Sequence, residues 1–172
     1  EDVSIEIRDE SGCVLPDGEE GEIWVKASLS KGYIDETSSE DKRLNFDGWV
    51  GSGDVGYVEG DRFLYLVGRK RDMIKTGGAN VSPAEVDAAL VQHPAIQSVF
   101  SVGVPHPTLG EIVVSCVILR EGQQLDEEAV RKFGRQSLAS FKVPRRVQFL
   151  DALPRNASTK VMKFKLRELA DA

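Results

Sequence analysis

Hydrophobic and polar residues alternate in short segments along the first 67 residues. The alternation is clearest in VSIEIR (3–8), EIWVK (22–26) and FLYLV (63–67), and turn-forming residues interrupt it at Pro16-Asp17-Gly18 and at Gly60-Asp61. A period of two between such turns predicts short antiparallel strands. We therefore expect this part of the chain to form a small antiparallel β unit, either barrel-like or a half-sandwich.

After residue 68 the pattern changes to helices that alternate with strands. Ser82, followed by Pro83 and by Glu85 three positions later, predicts a capped helix that runs to about Gln92. Asp126 precedes a second amphipathic segment, and a short basic helix is expected from Lys160 onward. The segments rich in β-branched residues, which predict strands, are 97–104, 112–119 and 146–150. The prediction for this part is a compact α+β domain with a three-stranded sheet flanked by helices.

Charge divides the chain at nearly the same position. Residues 1–67 contain 17 acidic and 6 basic side chains, whereas residues 68–172 contain 11 acidic and 16 basic ones. Such an asymmetry suggests two units with different electrostatic tasks, although acidic side chains can also serve solubility alone. We predict a boundary near residues 69–72, with a β-rich unit at 1–70 and an α+β domain at 71–172.

Composition narrows the classes of function. The two cysteines, Cys13 and Cys116, are far apart and belong to no Cys or His cluster, so neither a disulfide framework nor a metal site is predicted. No apolar run approaches the roughly 20 residues that a membrane-spanning helix needs, and no targeting segment is visible. We expect a cytoplasmic protein, with peripheral membrane association of a longer parent protein left open.

Three motifs in order give the chain a resemblance to a known family. They are GWVGSGDVGYVEGDRFLYLVGRKRDMIKTGGANVSPAEVD, then HPAIQSVFSVGVPHPTLGE, then FKVPRRVQFLDALPRNASTKVMKFKLRE. Together they resemble the C-terminal third of AMP-forming acyl-CoA synthetases, members of the adenylate-forming superfamily. The resemblance implies that residues 1–70 end a large AMP-binding domain and that residues 71–172 are its mobile C-terminal domain.

The resemblance also implies the reaction and its co-substrates. A carboxylic acid, with a fatty acid as our first candidate, would react with ATP to form an acyl-adenylate and pyrophosphate, and coenzyme A would then release AMP. ATP and its Mg²⁺ would be bound largely by an upstream domain of the same protein. We therefore expect this chain by itself to be inactive. Neither a nucleic-acid partner nor a transmembrane segment is expected.

Candidate nucleotide ligands lie near the predicted boundary. Asp54 follows Ser52-Gly53, a glycine turn in our interpretation, and a carboxylate there can accept hydrogen bonds from two vicinal hydroxyls. It matches the family's ribose ligand, and Arg69 matches an arginine that orients the same ribose. Arg71 occupies the family's hinge position, which is usually Asp or Lys. For Asp72 we expect a structural role, as a partner of neighbouring backbone or of a basic side chain.

A second group of candidates surrounds a glycine pair. Gly77 and Gly78 permit positive φ and a close approach of a ligand to the backbone. Gly78 matches the family's glycine at the pantetheine tunnel. Lys75 and Asn80 flank the pair and are candidates for contact with the phosphates of coenzyme A. An ordinary tight turn is the alternative explanation for the glycines.

Lys160 is the predicted catalytic residue. The family pattern is Pro-Arg-Thr-x-Ser-Gly-Lys, and this chain has Asn156 in place of the threonine and Thr159 in place of the glycine. A lysine ammonium can stabilise charge that develops between an α-phosphate and a carboxylate. If the glycine's positive φ is required, Thr159 is expected to strain the loop. Lys163, Lys165 and Arg167 are expected to be solvated.

Two other functions remain open from the sequence. An adenylating domain of the same superfamily can transfer its acyl group to an acyl carrier protein instead of coenzyme A. The chain could also be a noncatalytic interaction module.

Overall fold

The computed structural model describes residues 3–26, 48–60 and 63–171. They form two compact units, Glu1–Arg71 and Asp72–Ala172, each described by itself below. Part of the predicted β unit, residues 27–47, lies outside the described residues.

The first unit contains a four-stranded antiparallel sheet. Its strands are β1 (Ser4–Arg8), β2 (Gly21–Lys26), β3 (Trp49–Glu59) and β4 (Phe63–Arg69), and they lie in sequence order. Ile7 of β1 and Ile23 of β2 are direct cross-strand partners and both are buried, as the alternating pattern predicts.

The glycine-rich segment of β3 differs from its prediction. The turn expected at Ser52-Gly53 is a bulge within a continuous strand, where the register between β2 and β3 shifts opposite Ile23. Gly53 supplies the required positive φ, 74°, and the Ser52 hydroxyl donates to the Ile23 carbonyl at 2.8 Å. The strand was missed because its glycines weaken the β signal.

The second unit is built on a mixed sheet with helices on both faces. A 3₁₀ turn, Lys70–Asp72, leads into it. The strands are β5 (Ile74–Thr76), β6 (Ala79–Val81), β7 (Ile96–His106), β8 (Gly110–Leu119) and β9 (Arg146–Phe149). The helices are α1 (Pro83–Leu90), α2 (Glu127–Gly134) and α3 (Lys163–Asp171). The strand order is β6-β5-β8-β7, and β9 pairs in parallel with β8.

Side chains of β7 and β8 alternate between two hydrophobic cores. One core contains Val113 and Val117 of β8, and α1 and α2 contribute Leu90 and Val130 to it. The other lies on the opposite face, where α3 buries Leu166 and Ala170 completely. The helices therefore occupy both faces of the sheet, and α3 has a fixed position on one of them.

The predicted α+β class is confirmed, and one count within it is corrected. The sheet contains five strands among the described residues and not the predicted three, because β5 and β6 form a hairpin that is not among the predicted strands. Each has only three residues, too few for a periodic pattern to be visible. The helix caps are as expected, since Ser82 and Asp126 accept hydrogen bonds from the backbone N–H groups of Glu85 and Ala129.

Candidate functional site

The structure of the first unit brings its two predicted ribose ligands together. Asp54 of β3 and Arg69 of β4 are cross-strand partners. Arg69 Nε lies 2.8 Å from Asp54 Oδ1, and the side chains are 57% and 27% exposed. The pair therefore presents a carboxylate, oriented by a guanidinium, on an accessible surface. Hydroxyl groups of a ribose are suitable donors to such a carboxylate.

Arg71 lies in the 3₁₀ turn that joins the two units. It is the last residue of the first unit, and the turn contains no buried residue. A few residues at the end of an element can absorb the torsion changes of a domain rotation. This position agrees with the hinge role that the sequence suggests, and the role itself stays a prediction.

Gly77 and Gly78 form the two-residue turn of the β5–β6 hairpin. Their φ angles are 57° and 84°, the left-handed values that a tight hairpin turn of this kind requires. Lys75 and Asn80 are cross-strand partners one residue pair beyond Thr76 and Ala79, which flank the turn, so their side chains share one face of the hairpin. The Gly77 N–H donates to the Leu109 carbonyl at 2.9 Å and connects the turn to the loop between β7 and β8.

A pocket of about 330 Å³ opens beside this hairpin. Its lining includes Thr76, Gly77 and Ala79 of the hairpin together with Phe141 and Arg145. Gly78, Lys75 and Asn80 are not among its lining residues. The pocket thus joins the predicted glycine turn to an aromatic ring and a guanidinium. Phe141 and Arg145 are not among the site residues predicted from the sequence, and they lie about 65 residues further along the chain.

Lys160 lies in a closed loop that precedes α3, and not in the helix where the sequence suggested a start. We call residues 154–162 the Lys160 loop. The Met162 N–H donates to the Pro154 carbonyl, and Arg155 and Val161 form an isolated β-bridge, so both ends of the loop are joined. The Lys160 side chain is exposed. The loop therefore presents an ammonium group on a hydrogen-bonded base.

Asn156 organises the interior of this loop. Its Oδ1 accepts hydrogen bonds from the backbone N–H groups of Ser158, at 3.0 Å, and Lys160, at 2.9 Å. Its own N–H donates to the Lys160 carbonyl at 2.9 Å. The residue that departs from the family's threonine thus fixes the backbone of Lys160 from both sides.

Thr159 has the left-handed backbone that its position requires. Its φ is 63°, and it is the one non-glycine residue with positive φ among the residues described. A β-branched residue is strained in this region. Hydrogen bonds compensate locally, since Thr159 Oγ1 donates to the Ser158 carbonyl and the Arg155 guanidinium donates to the Thr159 carbonyl, both at 2.7 Å.

Lys163 is exposed, as predicted, with 47% of its side chain accessible, but it also has a charged partner. Its Nζ lies 2.5 Å from Asp72 Oδ2 and 6.0 Å from the centroid of the Phe100 ring. Asp72 has the structural partner expected for it, but that partner lies 91 residues away. Sequence separation concealed the contact, because only the docking of α3 on the sheet brings Lys163 to the 3₁₀ turn.

A second carboxylate belongs to the same region. Asp87 of α1 accepts a hydrogen bond from the Ser101 N–H at 2.7 Å. Burial raises the pKa of Asp87 from 3.8 to about 6, although the Ser101 hydrogen bonds and the charge of Lys163 act in the opposite direction. Burial, and next the charge of Asp87, raises the pKa of the Cys116 thiol to about 11. We call Asp72, Asp87, Phe100 and Lys163 the Lys163 cluster.

Two negative observations concern only residues 3–26, 48–60 and 63–171. Within them, no group of three or more His, Cys, Asp or Glu side chains is placed to bind a metal ion. No helix among them is long and apolar enough to cross a membrane.

The chain is similar to known proteins over most of its length. Residues 85–160 match the family model of the AMP-binding enzyme C-terminal domain. The chain is similar to the 2-succinylbenzoate–CoA ligase of Geobacillus kaustophilus (strain HTA426), with 41% identity over 91% of the chain and 33% of the relative. It is also 42% identical to the crotonobetaine/carnitine–CoA ligase of Proteus mirabilis (strain HI4320), over 92% of the chain and 31% of the relative.

A solved structure agrees with the fold. The ATP-bound MatB of Rhodopseudomonas palustris has a TM-score of 0.86 and 36% identity, over 97% of this chain and 34% of that one. The chain thus spans about a third of the length of the relatives that it matches.

Proposed function

Because this chain belongs to the adenylate-forming enzymes and contains their C-terminal domain, we propose that the complete protein is an AMP-forming acyl-CoA synthetase. The carboxylate oxygen of the acid attacks the α-phosphorus of ATP, and the bond to pyrophosphate breaks. The thiol of coenzyme A then attacks the acyl carbon, the bond to AMP breaks, and the thiol proton is released. The observation that carries the proposal is the exposed Lys160 at the end of a closed loop.

Each group identified in this chain receives a role in that reaction. Lys160 stabilises the negative charge that develops as the carboxylate oxygen attacks the α-phosphorus. Asp54 accepts hydrogen bonds from the ribose hydroxyls, and Arg69 orients Asp54. Arg71 is the pivot of the rotation that replaces Lys160 by the thiol-binding surface. The Mg²⁺ that accompanies ATP is bound by its phosphates and by the upstream part of the protein.

We assign the pocket beside Gly77 to the thiol co-substrate. A guanidinium such as that of Arg145 can bind a phosphate through paired hydrogen bonds, and the half-exposed Phe141 ring offers a surface for stacking. The glycine turn allows a narrow pantetheine arm to pass close to the backbone. Gly78, Lys75 and Asn80 lie at the hairpin's outer side and are expected to contact the remainder of the same molecule.

The first unit offers a surface for the upstream domain. Strand register places Ile5, Val50, Leu64 and Leu66 on one face of its sheet, and all four are exposed, Leu66 by 68%. Clustered apolar side chains on one face usually mark a contact surface. We propose that polypeptide upstream of this chain covers them, and that the chain alone is inactive.

The decisive experiment separates the two half-reactions in the complete protein. We expect Lys160→Ala to reduce carboxylate-dependent ATP/pyrophosphate exchange by about 100-fold or more and to leave capture of preformed acyl-adenylate by coenzyme A nearly intact. Lys165→Ala, which removes an exposed lysine of α3, is the matched control. Unchanged exchange in Lys160→Ala would refute the proposed role of Lys160, whereas absence of exchange in the wild-type protein would favour a noncatalytic interaction module.

The same assay addresses acid and acceptor. A fatty acid is the acid proposed from sequence, and the acids named in the two relatives above should be compared with it in the exchange assay. The acceptor is tested by offering coenzyme A or an acyl carrier protein to the adenylate. Arg145→Gln should raise the KM for coenzyme A and leave exchange unchanged. Loss of exchange in this variant would contradict the assignment of the pocket.

A further inference from the structure

The contact between Asp72 and Lys163 joins two segments on which the proposed reaction depends. Asp72 directly follows Arg71 and is the last residue of the 3₁₀ turn. Lys163 is the first residue of α3 and stands one residue beyond the Lys160 loop. A single ion pair therefore connects the polypeptide that enters the second unit to the base of the loop that presents Lys160.

Both ends of this connection have fixed positions. Asp72 is only 21% exposed, and Ile74, two residues later, is fully buried. Lys163 precedes Leu166, which is fully buried in the core on the α3 face of the sheet. The ammonium also lies 6.0 Å from the Phe100 ring centroid, a distance suited to a cation–π contact. Because Asp72 is partly buried, the pair is screened less than one between two fully exposed side chains, and the 47% exposure of Lys163 keeps its contribution modest.

In the part of the chain that the structure describes, Val161 of the Lys160 loop packs against the core that contains Leu166. The hydrogen bonds that shape the loop are internal, and they join Asn156 with Lys160, Arg155 with Thr159, and Pro154 with Met162. The strained Thr159 lies inside it. The orientation of the whole loop therefore depends on how its base is attached at residues 161–163.

We propose that Lys163 is a positioning residue, which acts with Asp72 to orient the Lys160 loop relative to the pivot so that Lys160 reaches the α-phosphate during adenylation. Lys163 touches neither substrate nor nucleotide in this proposal, which rests on the proposed function. When the ion pair is removed, Lys160 is still present, but its loop is less well ordered. Adenylation slows, whereas thioester formation, which uses another surface of the domain, does not.

The test compares Asp72→Asn, Lys163→Met and the double variant with Lys165→Ala as control, all in the complete protein. Each single variant should reduce the kcat of ATP/pyrophosphate exchange by about fivefold to tenfold, and the double variant should lose no more than the worse single variant. The KM for ATP and the rate of coenzyme A capture should be unchanged. Lys163→Arg should restore most of the exchange, since it keeps the charge.

Hydrogen exchange provides a readout that does not depend on activity. The Lys160 amide, which donates to Asn156 Oδ1, should exchange faster in Asp72→Asn and Lys163→Met than in the control. Suppose that the pair variants match Lys165→Ala both in the hydrogen-exchange rate of the Lys160 amide and in the kcat of ATP/pyrophosphate exchange. If Lys160→Ala still loses ATP/pyrophosphate exchange in that case, the positioning role is wrong and the proposed function stands. If Lys160→Ala retains wild-type exchange, the proposed role of Lys160 is wrong and this inference fails with it, whereas absence of exchange in the wild-type protein would overturn the proposed function.

Discussion

Replacing Asp87 by asparagine should stabilise the second unit at neutral pH. In the folded protein burial raises the pKa of this carboxyl group from 3.8 to about 6. That difference corresponds to roughly 3 kcal/mol in favour of the protonated form. At pH 7 the folded protein therefore contains an ionised carboxylate in a site that favours a neutral group. Asparagine is neutral, is similar in shape, and has a carbonyl oxygen that can accept from the Ser101 N–H.

The sign of the pH dependence follows from the two pKa values of Asp87. Between about pH 4 and pH 6 the folded state retains the proton, whereas the unfolded state has released it. The free energy of unfolding should consequently fall as the pH rises through this range, and the contribution of Asp87 should be constant above about pH 6. In Asp87→Asn this part of the slope disappears, and we expect a gain of about 2 kcal/mol at pH 7.

The buried Cys116 allows the measurement to be restricted to the second unit. The protein is equilibrated in urea between pH 4.5 and pH 7.5, and the fraction of unfolded molecules is read from a short pulse of thiol labelling at one common pH. Cys13 is exposed and reports complete labelling. Asp126→Asn is the matched control, because asparagine caps a helix about as well as aspartate. Parallel stability curves for wild type and Asp87→Asn would refute the reasoning.

Four further substitutions, at three positions, test separate parts of the structure. Thr159→Asn should relieve about 1 kcal/mol of left-handed strain and slow hydrogen exchange of the Lys160 amide, whereas Thr159→Val should speed it because the bond to the Ser158 carbonyl is lost. Leu166→Ala should lower the free energy of unfolding by about 2–5 kcal/mol, because Leu166 is fully buried. Cys116 should then be labelled at a lower urea concentration, and labelling at the wild-type concentration would contradict the packing of α3. Gly56→Ala should destabilise the first unit, because the added Cβ would lie 2.3 Å from the Tyr65 carbonyl oxygen; an unchanged tryptophan-fluorescence transition in urea would contradict that.

Local sequence determined most of the elements and several site features. Alternation identified β1, β2 and β4, and β-branched segments identified β7, β8 and β9. The caps at Ser82 and Asp126, and the positive φ at Gly77 and Gly78, follow from short-range chemistry that adjacent residues specify. The family motifs also identified Asp54, Arg69 and Lys160 as residues to examine, although their roles stay predictions.

The tertiary structure decided what depends on contacts between distant residues. It turned the expected turn before Asp54 into a strand bulge, because β2 supplies the Ile23 carbonyl for Ser52. It joined Gly77 to Phe141 and Arg145 in one pocket.

The same holds for Lys163 and Asp72. The sequence around Lys163 predicts only a basic helix, and the residues near Asp72 do not indicate which side chain pairs with it. Their pairing follows from the burial of Leu166 and Ala170 against the sheet, which sets where α3 begins. The local sequence determines hydrogen bonds between residues a few positions apart, whereas packing determines which of many possible ionic partners a charged residue meets.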